Sequence, residues 1–209
     1  MAVDLSRPRP LTGRDLRAAA ALHASELPDG FFAELGPRFL SRYLATFLDA
    51  PGTVALAVDG PDGTLAGFLV GSTRDGHHRA ALRRHGRSLA LAGALALLAR
   101  PGLAWRFLRT RAGRYVRALR RTPSSVTAAP AAGRTAVLLH VAVAPEQRGL
   151  GLGAALVRGL EQAARRDGCD RAVLVSFGDK PFYERLGWER GPARRNAVGQ
   201  DVVTYRRTL

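Results

Sequence analysis

Apolar and polar positions along this chain change period several times, and each change marks an element. Leu16, Ala20 and His23 recur on or near one face behind Thr12-Gly13-Arg14-Asp15, an N-cap signature with an acid in the first turn, which predicts a helix to about Ser25. Pro37 suits the first turn of a second helix, 37–48, ended by Asp49-Ala50-Pro51-Gly52. The period then drops to two. Strands are predicted over 53–58 and 65–72, joined at the hairpin Gly60-Pro61-Asp62-Gly63. A further alternating strand covers 136–143, and Leu152, Leu156 and Leu160 carry an amphipathic helix to about Arg166. A strand over 172–177, a short helix over 181–186 and a last strand over 200–208 complete the order.

Residues 74–134 stand apart. From Arg74 to Arg121 there are thirteen arginines against one acid, Asp75, so this stretch holds +12 of the chain's net +15. Its first half, 85–99, reads as an apolar helix. Beyond the break at Pro101-Gly102, Trp105, Leu108, Ala112, Tyr115 and Leu119 recur at three- and four-residue spacing with arginines between them, a basic amphipathic helix. Residues 122–133, rich in Ala, Pro and Ser, read as a return loop. A solvated helical hairpin, a contact with an anionic substrate or lipid surface, and an arm for a homodimer all fit such a segment. No nucleic-acid recognition motif accompanies the charge.

The most chemically informative stretch joins the strand 136–143 to the helix that follows it. Val141-Ala142-Val143-Ala144-Pro145-Glu146 leads into Gln147-Arg148-Gly149-Leu150-Gly151-Leu152-Gly153-Ala154, a glycine turn that opens a helix whose first amides are free for an anion. A nucleotide P-loop requires Gly-Lys-Ser/Thr, and Gly153 is followed by Ala154. A dinucleotide fingerprint is matched formally by Gly149, Gly151 and Ala154, with Asp167 and Asp170 near the ribose-acid position. Fewer than sixty residues then remain for the rest of a doubly wound sheet. The third reading, Arg148-x-x-Gly151-x-Gly153 after a strand, resembles the coenzyme-A pyrophosphate loop of the GNAT N-acetyltransferases. Some thirty residues on, Phe182-Tyr183-Glu184-Arg185-Leu186-Gly187-Trp188 resembles that family's Phe-Tyr-x-x-Leu-Gly-Phe signature, in the right order and at nearly the right separation.

The resemblance implies an α/β GNAT fold: a mixed central sheet flanked by helices, here a single domain over 1–209 with 74–134 inserted as a helical hairpin between the third and fourth strands. It implies acetyl-CoA as co-substrate and direct attack of a small-molecule amine on the thioester. The amides of Arg148, Gly149, Leu150, Gly151, Leu152, Gly153 and Ala154 would hold the pyrophosphate. The strand Val141-Ala142-Val143 would pair with the pantetheine arm, and Tyr183 would protonate the departing thiolate. Family members often carry an Asn about seven residues before this tyrosine; the approach here, Ser176-Phe177-Gly178-Asp179-Lys180-Pro181, is shorter and has none. A non-catalytic acyl-CoA sensor, or a membrane-surface binder, of the same fold is the alternative.

The general base is not fixed by the motifs. His140, on the strand that runs into the site, has a suitable ordinary pKa, and alternation puts it on the face of Ala142, opposite Val141 and Val143. His23 and Glu34 lie in the helical region and are weaker candidates; water is another. Cys169, the single cysteine, has no His near it in sequence and is expected to be inert. His77, His78 and His85 lack Cys or acidic co-ligands, so no metal is expected.

Composition changes the picture only at its margins. Apolar residues make up 46% of the chain, enough for a sizeable core. Nearly all positive charge is arginine, Lys180 being the single lysine, which weakens arguments from arginine content alone. Met1–Arg7 lacks an apolar core and the longest apolar run, 88–99, is short of a bilayer span, so a cytoplasmic location is expected. The basic insertion makes an anionic acceptor attractive, such as a nucleotide-linked amino sugar or a glycan precursor.

Overall fold

The computed structural model describes residues 7–28, 31–74, 82, 85–98, 102, 105, 134–196 and 199–209. Its centre is a seven-stranded mixed sheet in the order β1-β2-β3-β4-β5-β7-β6, formed by β1 (Arg9–Pro10), β2 (Thr53–Asp59), β3 (Leu65–Ser72), β4 (Arg134–Val143), β5 (Cys169–Phe177), β6 (Glu189–Arg195) and β7 (Asp201–Thr208). Only β4 and β5 pair in parallel, across the helix that joins them; every other neighbour is antiparallel.

The two faces of the sheet are covered differently. On one, α5 (Leu152–Arg166) buries Leu152, Leu156, Val157 and Leu160 against Val58, Leu69, Leu138 and Leu174. On the other, α1 (Leu16–Glu26), α2 (Phe31–Glu34), α3 (Pro37–Ala45) and α4 (Gly86–Leu98) enclose Phe39, Leu40, Tyr43 and Phe47 over Ala57, Phe68, Val70 and Ala142. Full burial of a side chain such as Leu156 or Leu40 contributes about 1.5–3 kcal/mol each.

Where the elements differ from the sequence reading, local physics explains the shift. The first helix starts at Leu16 with Asp15 as N-cap, not at Thr12. The Asp15 carboxylate accepts from the Thr12 amide and hydroxyl and from Arg9, so it serves the preceding turn and an ion pair in place of a helix amide. Arg9 also bonds Asp59 at 2.7 Å, tying β1 to the end of β2, and it holds the Asp15 carboxyl down at about 2. The second helix stops at Ala45, three residues early, as Thr46 caps back onto Tyr43 O at 2.7 Å. β5 begins at Cys169, not Ala172. Two strands escape the pattern altogether. β1 is two residues long, and β6, Glu-Arg-Gly-Pro-Ala-Arg-Arg, is a charged edge strand with a proline and an irregular register, devices that mark edges and hide periodicity. The expected helix over 85–99 is present as α4. Its proposed partner helix beyond Trp105, the return loop 122–133, His77 and His78 lie outside the described residues.

One irregularity positions the site. β3 pairs with β4 as Val70 with His140 and then Gly71 with Leu138, so Leu139 is an extra residue, a β-bulge. Leu138 lies in the core under α5, yet His140 packs with the α1 and α3 side chains. Without the extra residue, alternation would put both on one face.

Candidate active site

β4 and β5 are paired only from Arg134 with Cys169 to Leu138 with Leu174. β4 runs on to Val143 and β5 to Phe177, yet beyond Leu138 they are not partners: the two parallel strands part from the bulge onward. The direction of the exposed backbone follows from register. The Ala144 amide donates to Ala66 O at 2.8 Å, and the same register sets Ala142 opposite Phe68, so the peptide groups of Ala142 and Ala144 point to β3. Those of Val141 and Val143 therefore point into the gap on the β5 side. Of the three strand residues expected to meet a ligand, Ala142 is turned away: its backbone faces β3 and its side chain is buried with α1 and α3.

The glycine turn closes the wide end of this gap. Gly149 (φ 83°) and Gly151 (φ 78°) both adopt the left-handed conformation that disfavours other residues, and a Cβ on either would meet nothing within 4 Å. Gly151 is the N-cap of α5, and the first helical bond is Ala155 N to Gly151 O, so the amides of Leu152, Gly153 and Ala154 have no acceptor within the helix. No side chain caps this terminus, its first turn holds no acid, and Leu150 is exposed beside it. An open cradle of amides at the positive end of a fifteen-residue helix is a fitting anion site. Arg148 frames it from below: its Nε donates to Val143 O at 3.3 Å and its guanidinium pairs with Glu26 at the end of α1.

The second motif is brought to the same place. A Cβ on Gly153 would come within 3.3 Å of the Phe182 ring and 3.6 Å of Val143 Cγ2, so β4, the start of α5 and α6 (Pro181–Arg185) converge there. Tyr183, on α6, is 9% exposed and stands among the rings of Phe182, Trp188 and Tyr205, with centroids 5.1, 6.1 and 5.2 Å away. Burial, helped by Tyr205, pushes its phenol up to about 12. It therefore holds its proton at neutral pH and can donate it. The approach to α6 is clamped by a group that the sequence reading missed. Tyr205 donates to Asp179 Oδ1 at 2.6 Å and accepts from the Lys180 amide at 2.8 Å, while Arg190 bonds the same carboxylate. Trp188 Nε1 donates to buried Glu161 at 2.9 Å and fastens the motif's end to α5.

Across the sheet lies a cluster assembled from three elements. His140 is half-buried, with Nε2 3.1 Å from the Tyr43 hydroxyl, and its ring meets that of His23 edge-on at 4.7 Å. Burial holds the Tyr43 phenol far above its ordinary range, so the hydroxyl stays protonated whichever partner donates. His23 is 2% exposed, and among the described residues neither ring nitrogen has a hydrogen-bond partner; desolvation lowers its pKa. Tyr43 was not singled out from sequence, because one tyrosine among apolar helix positions looks like core. Glu34 ends α2. Cys169 is buried and donates to Thr73 O at 3.1 Å, a structural setting. Among the described residues there is no cluster of His, Cys, Asp or Glu fit for a metal, and no helix long and apolar enough to cross a membrane.

Comparison with known proteins bears on the fold and on the stretch that holds the glycine turn. The model of the Acetyltransferase (GNAT) family matches residues 107–188, which span β4, the glycine turn, α5, β5 and α6. No curated protein matches the sequence. Among solved structures, Ard1 from Thermoplasma volcanium is 15% identical with a TM-score of 0.56, covering 97% of this chain and 96% of that one. The polyamine N-acetyltransferase of Drosophila melanogaster is 16% identical with a TM-score of 0.56, at 97% and 99% coverage. The ribosomal-protein-S18-alanine N-acetyltransferase of Escherichia coli is 15% identical with a TM-score of 0.53, at 97% and 92%. At such identities the likeness is one of fold.

Proposed function

We propose that this chain is an acetyltransferase of GNAT type that transfers acetyl from acetyl-CoA directly to a primary amine, with the gap between β4 and β5 as the cofactor channel; the match of residues 107–188 to the GNAT family model supports this. The observation that carries the reading is the parting of these strands beyond Leu138 and Leu174, with the left-handed glycine turn at its wide end. Acetyl-CoA supplies an activated thioester. The amides of Gly149 to Ala154 hold its pyrophosphate, and the outward peptide groups of Val141 and Val143 bond the pantetheine arm as an added strand would. Tyr183 donates its proton to the sulfur that leaves, a step for which a phenol raised to about 12 is correctly protonated. His140, reached from the opposite face, removes a proton from the incoming ammonium, with Tyr43 fixing its ring.

The acceptor class follows from charge. The excess of arginine over acid in 74–134 favours an anionic amine, such as a nucleotide-linked amino sugar or a glycan precursor, over a polyamine. Calorimetric titration with acetyl-CoA, compared with Gly151→Glu, tests the channel; micromolar binding lost in the variant is expected, and no binding by the unaltered chain would overturn it. Transfer assays on amino sugars against polyamines test the acceptor, with a preference for the cationic amine counting against the charge argument. The close aromatic packing of Tyr183 suits the rival reading, a non-catalytic acyl-CoA sensor, equally well; Tyr183→Phe separates the two, since a sensor would keep its affinity and have no turnover to lose.

A further inference from the structure

α4 has two apolar faces, and among the described residues only one is packed. Leu89, Ala92 and Ala96 turn towards the α1–α3 layer, and Gly93 lies against the Phe39 ring. On the opposite side, Leu91, Leu95 and Leu98 recur at four- and three-residue spacing and are 61%, 55% and 79% exposed. Trp105, a little further along the chain, is 63% exposed. A stripe of three leucines open to water is costly to leave uncovered and marks an interaction surface.

Charge says what covers it. No acid occurs anywhere between Asp75 and Glu146, while thirteen arginines fall in that interval. On α3, the helix that α4 packs against, Arg38 and Arg42 are exposed as well, Arg42 three residues on from Phe39 and so on the neighbouring face. α4, thirteen residues long, extends only about 20 Å at 1.5 Å per residue, short of the bilayer's hydrocarbon core. A short helix with leucines outward, packed on a helix that exposes Arg38 and Arg42 and set in a strongly basic stretch of sequence, suits a surface that is apolar beneath and negative above. We propose that the α4 face docks peripherally on an anionic phospholipid bilayer, Leu91, Leu95 and Leu98 entering the headgroup boundary while Arg38 and Arg42 meet the lipid phosphates. A nucleic acid would use the charge and leave the leucines uncovered; a second copy of this chain would bring a like charge of +15 to the contact. This inference does not rest on acetyl transfer.

The test is co-sedimentation of the full chain with phosphatidylcholine vesicles made with and without phosphatidylglycerol. Binding is expected only with the anionic lipid, weakened by salt, and lowered roughly tenfold or more by Leu91→Glu with Leu95→Glu. Near-UV circular dichroism checks that this variant is folded, and Leu98→Ser, at the most exposed position, gives a milder second reading in the same direction. Indifference to phosphatidylglycerol, or vesicle binding unchanged in both variants, would overturn the proposal. So would a stable dimer in sedimentation velocity that the double variant dissolves, or duplex DNA that competes the wild type off vesicles while binding the variants equally.

Discussion

The two faces of the sheet solve different problems, and the contrast explains why one half of the site is so much easier to read than the other. On the α5 face, the proposed recognition is by backbone: peptide groups of Val141 and Val143 turned into a gap, and helix-terminal amides reached through Gly149 and Gly151 in the left-handed conformation. Backbone recognition demands particular residues in a short run, because only glycine relieves the steric cost. On the α1–α3 face, the proposed chemistry falls to side chains from three separate elements, His23 on α1, Tyr43 on α3 and His140 on β4. These converge by folding, at separations in sequence that no local pattern encodes.

The sharpest way to break the comparison is to remove the backbone site. Gly151→Glu adds a side chain where φ is 78° and puts a carboxylate at the helix terminus. The strain costs about 1–2 kcal/mol, and repulsion of the pyrophosphate adds to it. Acetyl-CoA affinity should fall by roughly a hundredfold or more in calorimetry, while thermal melting remains cooperative.

Next in size, Tyr183→Phe should lower kcat by about 10²–10⁴, the ordinary span for a general acid. Acetyl-CoA affinity should stay within roughly twofold, since the ring packing is kept. A variant with unchanged kcat would reassign Tyr183 to the aromatic core. Third, His140→Gln should reduce kcat/KM by roughly 10²-fold. Tyr43→Phe, which takes away the hydroxyl 3.1 Å from Nε2, should reduce it by a smaller factor.

The outcomes also bear on what the chain made visible. Both hairpin strands, β4, α5 and α6 were legible because their periods are strong and glycine or proline punctuates them. The proposed cofactor side reads from sequence because its residues are contiguous. What was hidden has physical reasons. β6 is an arginine-rich edge that needs no apolar alternation, and Asp179, Lys180 and Tyr205 meet across twenty-six residues of chain. The bulge at Leu139 is set by pairing to β3, so the strand's own letters, Leu138-Leu139-His140, give no sign that the first and last of them face opposite sides of the sheet.

The smallest expected effect concerns His23, and it distinguishes a tolerated core residue from a cost retained beside the site. Its ring is buried against Phe68 and His140, and neither nitrogen is partnered among the described residues. Desolvation puts its folded pKa below the ordinary 6.5, so between those two values the unfolded chain binds the proton and the folded chain does not. Stability is therefore full above pH 6.5 and declines as the pH falls through this window. The groups that face the ring, His140 on β4 and Tyr43 on α3 beyond it, supply no negative charge to offset a protonated imidazole. His23→Leu should flatten the fall in melting temperature below pH 6.5, measured by calorimetry from pH 8 to 5, and leave stability at neutral pH equal or slightly higher. A melting curve whose pH dependence survives the substitution would place the acid-sensitive group elsewhere. If the flattened variant also loses transfer activity while binding acetyl-CoA normally, the unpartnered imidazole is kept because it orients His140.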